Sequence, residues 1–250
     1  MRVTLVGCSG SFPGPDNPSS CYLVEADGFR LVLDLGNGSL GALQRHCPPG
    51  DLDAVLISHL HADHCMDLLP LYVARAYDPQ QRHPKLEVRV PTGGAAHLAR
   101  AYGREEGSGL AACFDFVEWA EGRHKIGPFA VTVVATAHPI ETWAMRVEHD
   151  GRALVYSADT GPCAALVELA RDADLALFES SFEEGRDDAA PPDLHLTGRQ
   201  AAEHAERAGV RRLVLTHLPP WNDPARSLAA ATVAFSGPVD VARPGATYEL

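Results

Sequence analysis

Residues Val55-Leu56-Ile57-Ser58-His59-Leu60-His61-Ala62-Asp63-His64 constrain this chain more than any other stretch. An apolar run of strand type stops at Ser58, and three histidines and one aspartate follow in residues 59–64. Imidazole suits zinc and similar borderline metals, and a carboxylate adds a harder oxygen ligand. Packing a core needs no such cluster. Crowded together, these groups repel one another or lose hydration at a cost unless a positive charge sits among them. A polar loop with incidental histidines is the alternative, and it leaves the cluster without partners. The stretch predicts a metal centre at the end of a strand.

Other apolar runs end in the same kind of residue. Val214-Leu215-Thr216 leads to His217, Val133-Val134-Ala135-Thr136-Ala137 leads to His138, and Leu154-Val155-Tyr156-Ser157-Ala158 leads to Asp159. Strands side by side in one sheet would gather these ends on one edge. One such ending carries little weight, but four in one chain are hard to explain by packing. Asp34, in Asp34-Leu35-Gly36-Asn37-Gly38, reads first as part of a glycine-rich turn. The alternative is that its carboxylate braces a metal ligand from behind.

The remaining pattern is mixed α/β. Strands are expected at 2–7, 21–25, 30–34, 54–58, 87–90, 114–118, 130–136, 145–149, 153–157, 175–179 and 213–216, with a hairpin turn at Asp27-Gly28. Helices are expected at 40–46, 65–77, 94–102, 164–171, 197–208 and 224–235, with Pro70 forcing a late start or a kink in the second. Thr197 is a candidate N-cap and Gly209 a C-terminal stop. Residues 103–109 are charged and glycine-rich and read as an exposed loop, a candidate lid, and 185–193 read as a mobile loop. No low-complexity linker divides the chain, so one domain spanning 1–250 is expected, made of two similar halves of about 1–125 and 126–250.

Charge narrows the partners. The formal net charge is −12, and no basic run is present to concentrate a patch against a polyanion. Long nucleic acid is a poor default partner, whereas a small anionic substrate held by metal ions is easy to accommodate. The six cysteines are scattered without a C-x-x-C pair, which favours reduced thiols. Cys65 follows His64 and reads better as a small buried apolar residue than as a ligand. The opening Arg2-Val3-Thr4-Leu5-Val6-Gly7 lacks the pattern of a signal peptide. No stretch approaches the ~20 apolar residues that span a bilayer. A cytoplasmic location without membrane contact is expected.

With these residues in place, the chain resembles the metallo-β-lactamase superfamily. The H-x-H-x-D-H signature is His59-Leu60-His61-Ala62-Asp63-His64, and His138, Asp159 and His217 follow in the family's order. The resemblance implies an αββα sandwich and two divalent ions, zinc foremost and manganese or iron as alternatives. One ion would take His59, His61 and His138, and the other Asp63, His64 and His217. Asp159 and a water or hydroxide would bridge them.

Asp193-Leu194-His195-Leu196-Thr197 and Leu215-Thr216-His217-Leu218-Pro219-Pro220-Trp221 further resemble the tRNase Z branch, in which a histidine at the position of His195 assists catalysis. Asp63 and His195 are therefore the candidate catalytic residues. That branch carries a long tRNA-gripping arm, usually between the third histidine and the bridging aspartate, and here only two plain strands fit between His138 and Asp159. Gly7-Cys8-Ser9-Gly10-Ser11, Gly41-Ala42-Leu43-Gln44-Arg45-His46 and Pro191-Pro192-Asp193-Leu194-His195-Leu196 resemble more closely the actinobacterial atypical class II cyclic-nucleotide phosphodiesterases. The resemblance implies hydrolysis of 3′,5′-cyclic nucleotides, cyclic AMP foremost, with a homodimer possible. An RNase Z-like endoribonuclease and a non-enzymatic metal-binding protein are the alternatives. Trp143 and Trp221 each follow a predicted ligand and are candidates for stacking on a base, though either would also serve as a core or rim aromatic.

Overall fold

Leu31 and Leu33 lie on one face of their strand and Val32 on the other, and all three are fully buried. A strand covered on both faces belongs to a sheet with layers on both sides, which explains the near-continuous apolar runs in the sequence. The structure, a computed structural model, describes residues 1–104 and 109–250. Residues 105–108 of the candidate lid lie outside the described residues.

The described residues form two seven-stranded sheets. The first contains β1 (Arg2–Gly7), β2 (Cys21–Ala26), β3 (Phe29–Leu33), β4 (Ala54–Leu56), β5 (Leu86–Val90) and β6 (Phe114–Glu118). The second contains β7 (Gly122–Ile126), β8 (Phe129–Ala135), β9 (Trp143–His149), β10 (Arg152–Tyr156), β11 (Leu175–Glu179), β12 (Leu213–Thr216) and β13 (Val239–Val241). The last strand, β14 (Thr247–Glu249), returns to the first sheet beside β1, which gives the orders β14-β1-β2-β3-β4-β5-β6 and β13-β12-β11-β10-β9-β8-β7. In each sheet an antiparallel meander continues into parallel strands, at β3–β4 in the first and β10–β11 in the second.

Alternation along the strands sorts the core into three layers. Leu31, Leu33, Tyr22, Val131, Met145, Leu154 and Leu177 fill the space between the sheets. Val32, Val55 and Val88 face outward against Leu43, Leu68, Leu71 and Leu98 of the first helical layer. Val155, Phe178 and Leu215 face Leu166, Ala201, Ala205 and Ala231 of the second. This is the expected α/β sandwich of the metallo-β-lactamase type, two sheets between helices. Among the described residues no helix is long and apolar enough to cross a membrane, and all six thiols are free.

Local departures from expectation have physical reasons. The helix expected at 65–77 is two helices, Ala62–Cys65 and Leu68–Ala76. Pro70 sits in the first turn of the second, where its missing N–H is tolerated. The helix expected at 40–46 is confined to Ser39–Leu43. Strands β7, β13 and β14 were not expected, because Gly122-Arg123-His124-Lys125-Ile126 is charged and the other two span three residues each. Short or charged strands are typical of sheet edges, and these three supply edges of the two sheets. Thr197 caps the helix Gly198–Ala208 with a full capping box through Gln200, and Gly209 ends it in the left-handed conformation.

Candidate metal centre

The four histidine- or aspartate-terminated runs converge, but not from one sheet as their alignment had suggested. β4 of the first sheet delivers His59, His61, Asp63 and His64, while β8, β10 and β12 of the second deliver His138, Asp159 and His217. The three second-sheet strands point the same way, so their C-terminal ends open on one edge. The chain reverses sharply there. Asp34, Ala158 and His217 all have positive φ, at 56°, 52° and 57°, a sparsely populated conformation that persists only when its surroundings enforce it. A close approach enforces one of these turns. A Cβ on Gly36 would lie 1.9 Å from the Asp63 carbonyl oxygen, so only glycine lets the 34–38 turn press against the histidine loop.

Three overlapping groups of donor atoms result. His59, His61, His138 and Asp159 form the first, Asp63, His64 and His217 the second, and Asp159, His195 and His217 a third. In the first, His61 Nδ1 lies 3.1 Å from His59 Nε2 and 3.4 Å from His138 Nε2. In the second, His217 Nε2 lies 3.0 Å from His64 Nε2 and 3.1 Å from Asp63 Oδ2. Asp159 spans the first two, with Oδ2 at 3.6 Å from His59 Nε2 and Oδ1 at 3.3 Å from His64 Nε2. His59, His64, Asp159 and His217 are buried, His138 is half-buried, and His61 is exposed at the mouth.

The outer partners fix which nitrogen each ring presents. His64 Nδ1–H donates to Asp34 Oδ2 at 2.7 Å. His138 Nδ1–H donates to the Leu194 carbonyl at 3.0 Å. Ser181 Oγ donates to the His217 carbonyl at 2.9 Å and so accepts His217 Nδ1–H at 2.8 Å. Ser58 Oγ donates to Asp34 Oδ2 at 2.7 Å and accepts His59 Nδ1–H at 3.0 Å. Each of these four rings therefore turns Nε2 inward.

The donor set fits metal ions. Inward-facing nitrogens 3.0–3.4 Å apart need a shared proton or a cation between them. Asp159 Oδ1 is buried without a hydrogen-bond partner, a deficit that an ion would fill. Burial alone would strip His64 of its charge, yet Asp159, Asp63 and Asp34 together push its pKa well above the ordinary value. Burial likewise opposes ionisation of Asp63 and Asp159, but the neighbouring imidazoles hold both below the usual carboxylate range. Carboxylates this deeply placed demand positive charge at the centre.

Asp34 corrects the simple turn reading. Its carboxylate is fully buried and accepts from Ser58 N, Ser58 Oγ, Tyr156 Oη and His64 Nδ1, so it braces His64 directly and His59 through Ser58. His195 lies beside the second group, with Nδ1–H donating to Glu179 Oε1 at 2.8 Å and 4.0 Å from Asp159 Oδ2. Burial opposes its charge, but Glu179 and Asp159 outweigh it and push the His195 pKa up to about 9. Sequence reasoning missed Glu179, Ser181 and Tyr156. Glu179 ends β11 in a carboxylate as β10 leads to Asp159, so the strand-end pattern itself could have found it.

Two further residues sort cleanly. Trp143 is 9% exposed, packs between the sheets and donates Nε1–H to Glu141 Oε1, so it is a core residue. Cys65 is fully buried in the first helical layer, with its thiol donating to the His61 carbonyl. From the 185–193 loop, Arg186 donates to Asn222 Oδ1 and to its neighbour Asp187. A hollow of about 820 Å³ beside β13 and β14 contains none of the site residues.

Residues 30–218 match the Beta-lactamase superfamily domain. An uncharacterized protein of Mycobacterium leprae is 43% identical over 256 residues, which cover all of this chain and 89% of that protein. A ribonuclease Z of Myxococcus xanthus is 30% identical over 302 residues, covering 100% of this chain and 98% of that one. The crystal structure of the metallo-β-lactamase fold protein YhfI from Bacillus subtilis superposes with a TM-score of 0.86 at 27% identity, over 99% of this chain and 98% of that one. The chain belongs to the metallo-β-lactamase superfamily. Within it, it is a metallo-hydrolase related to ribonuclease Z.

Proposed function

We propose that the protein is a dinuclear-metal phosphodiesterase that hydrolyses 3′,5′-cyclic nucleotides, cyclic AMP foremost, to 5′-monophosphates. His59, His61 and His138 would hold one ion and Asp63, His64 and His217 the other, with Asp159 shared. Zinc suits this imidazole-rich set best, ahead of manganese or iron. Two such ions would supply Lewis acidity, lowering the pKa of a bound water and neutralising phosphate oxygens.

The chain's own residues supply the rest. Asp63, fixed by its contact with His217, would orient the attacking water. Glu179 holds His195 by Nδ1 and is itself fixed by Thr160 N and Ser181 N. The free Nε2–H of His195 is thereby aimed outward as a proton donor. As the P–O3′ bond breaks, His195 gives that proton to the departing ribose oxygen and is left neutral, its Nδ1–H still on Glu179.

The observation that carries the phosphodiester reading is this Glu179–His195 pair at 2.8 Å beside Asp159. A small substrate is favoured by the link between His138 and Asp159, which holds only β9 and β10 joined at Asp150-Gly151. The net charge of −12 also opposes a long polyanion. RNase Z-like cleavage is the second reading, supported by the Myxococcus xanthus relative. A screen of the metal-loaded protein against cyclic mononucleotides, cyclic dinucleotides and a pre-tRNA separates the two. Conversion of cyclic AMP to 5′-AMP is expected. Cleavage of pre-tRNA without turnover of any cyclic nucleotide would overturn the reading.

A further inference from the structure

Beside His195 the surface opens into a cleft of about 530 Å³, lined by Ser11, Phe182, Leu194, His195, Pro219 and Trp221. That is within the range of a small-ligand site. His195 belongs both to this cleft and to a donor group with Asp159 and His217, so the cleft adjoins the metal centre at His195.

Trp221 is 62% exposed and Phe12 is 39% exposed, whereas Trp119 and Trp143 are buried. The rings of Phe12 and Trp221 pack against each other at 4.9 Å between centroids and 44° between planes. Large aromatics left in solvent contribute little to the fold.

Both rings stand on clamped backbone. Asn222 N donates to the Pro219 carbonyl at 2.9 Å, and Asn222 Nδ2 donates to the Ser181 carbonyl at 2.9 Å. Arg186 Nη1 donates to Asn222 Oδ1 at 2.9 Å, so this cationic wall residue acts as an anchor for the Trp221 loop. On the other side, Phe12 N donates to the Gly10 carbonyl at 2.7 Å across Ser11, whose φ is 63°. A three-residue turn with positive φ at its centre is rare and strained. Ser9 Oγ donating to the Phe12 carbonyl and Gly10 N donating to the Leu218 carbonyl hold it in place. A Cβ on Gly10 would lie 2.2 Å from the His217 carbonyl oxygen, so the Phe12 loop is seated directly on a predicted ligand. Strain of this kind gathers at ligand sites.

We propose that this cleft is the base subsite, in which the indole of Trp221, backed by Phe12, stacks on the planar heteroaromatic ring attached to the substrate phosphate and so sets which phosphodiesters are turned over. The inference rests on the phosphodiesterase reading for its substrate class. Stacking requires only a π-face, so both purines and pyrimidines are accepted, with purines held more tightly.

The test pairs binding with turnover, using the full chain loaded with metal. 5′-AMP and ribose 5-phosphate are titrated by calorimetry into the wild type, Trp221→Phe and Trp221→Ala, and wild-type tryptophan emission is followed in parallel. 5′-AMP should quench the exposed indole and bind Trp221→Ala on the order of 10- to 100-fold more weakly. Trp221→Phe should lie between, and ribose 5-phosphate should bind all three alike. With cyclic AMP as substrate, KM should rise in Trp221→Ala by a similar factor while kcat changes less than about threefold. Equal affinity of the wild type and Trp221→Ala for 5′-AMP, or no 5′-AMP binding by the wild type, would overturn the subsite. Trp221-dependent 5′-AMP binding in a protein that turns over no cyclic nucleotide would instead overturn the cyclic-nucleotide activity and leave the subsite standing.

Discussion

Asp34 Oδ2 accepts the Nδ1–H of His64 at 2.7 Å, and the same oxygen takes hydrogen bonds from Ser58 Oγ and Tyr156 Oη at 2.7 Å. The other oxygen accepts Ser58 N, also at 2.7 Å. One carboxylate thus aligns a ring from each of the first two donor groups. In Asp34→Asn the amide must turn its NH2 toward one of these donors, leaving a buried donor unpaired at a cost of about 1–3 kcal/mol. Metal affinity should fall about 10- to 100-fold. Competition against a chromogenic chelator measures this, and unchanged affinity would show that the Asp34 contacts do not tune the centre.

The predicted ligand assignment makes a stoichiometric statement. The wild type should bind two ions per chain and lose turnover on chelation. His64→Ala should bind one ion and lose nearly all activity while keeping its fold, because one donor group drops from three residues to two. Two ions in that variant would contradict the assignment.

Metal uptake should also release protons. The carboxylates around His64 overcome its burial and hold it protonated well above its ordinary pKa. At pH 7 the metal-free ring therefore carries a proton that an ion must displace. Affinity should weaken as pH falls, about tenfold per unit for each proton displaced. Calorimetry in buffers of different ionisation heats counts these protons, and none released at pH 7 would refute the account.

Two glycines test the packing of the site against bland alternatives. Gly36→Ala places a Cβ 1.9 Å from the Asp63 carbonyl oxygen, backbone that cannot yield without moving the histidine loop. It should lower both the melting temperature and the metal content. Gly41→Ala lies on the helix Ser39–Leu43 with nothing within 4 Å of the new Cβ. It should leave metal content unchanged and raise stability by about 0.4–1 kcal/mol.

What the sequence made legible was whatever repeats in one dimension. The two-sided burial of β3, β4, β10, β11 and β12 was visible as apolar runs, and Thr197 marked a helix start that the structure places there. Trp143 and Trp221 could not be separated by position, since each follows a predicted ligand closely. One faces the inter-sheet core and the other solvent. The partners of the site were the least legible. Asp34, Glu179 and Ser181 meet His64, His195 and His217 across 30, 16 and 36 residues, and separations of that kind are set by tertiary packing. Even the convergence of the donor runs came from two facing sheets, where the strand ends alone suggested one.

The Glu179–His195 pair allows chemistry to be separated from metal binding. The two groups proposed to hold the ions are complete without His195, which joins Asp159 and His217 in a third, and Glu179 reaches it from the end of β11. His195→Ala should therefore keep both ions and lose about 10²- to 10⁴-fold in kcat, the usual worth of a positioned proton donor. Glu179→Gln keeps an oxygen to accept Nδ1–H but removes the negative charge that favours the imidazolium, so its loss should be smaller. Glu179→Ala removes both and should approach His195→Ala. A substrate with a good leaving group, such as a nitrophenyl phosphodiester, needs little protonation of the departing oxygen, and all three variants should recover most of their activity on it. If they remain as impaired on that substrate as on cyclic AMP, His195 serves to bind or shape the site and is not the proton donor.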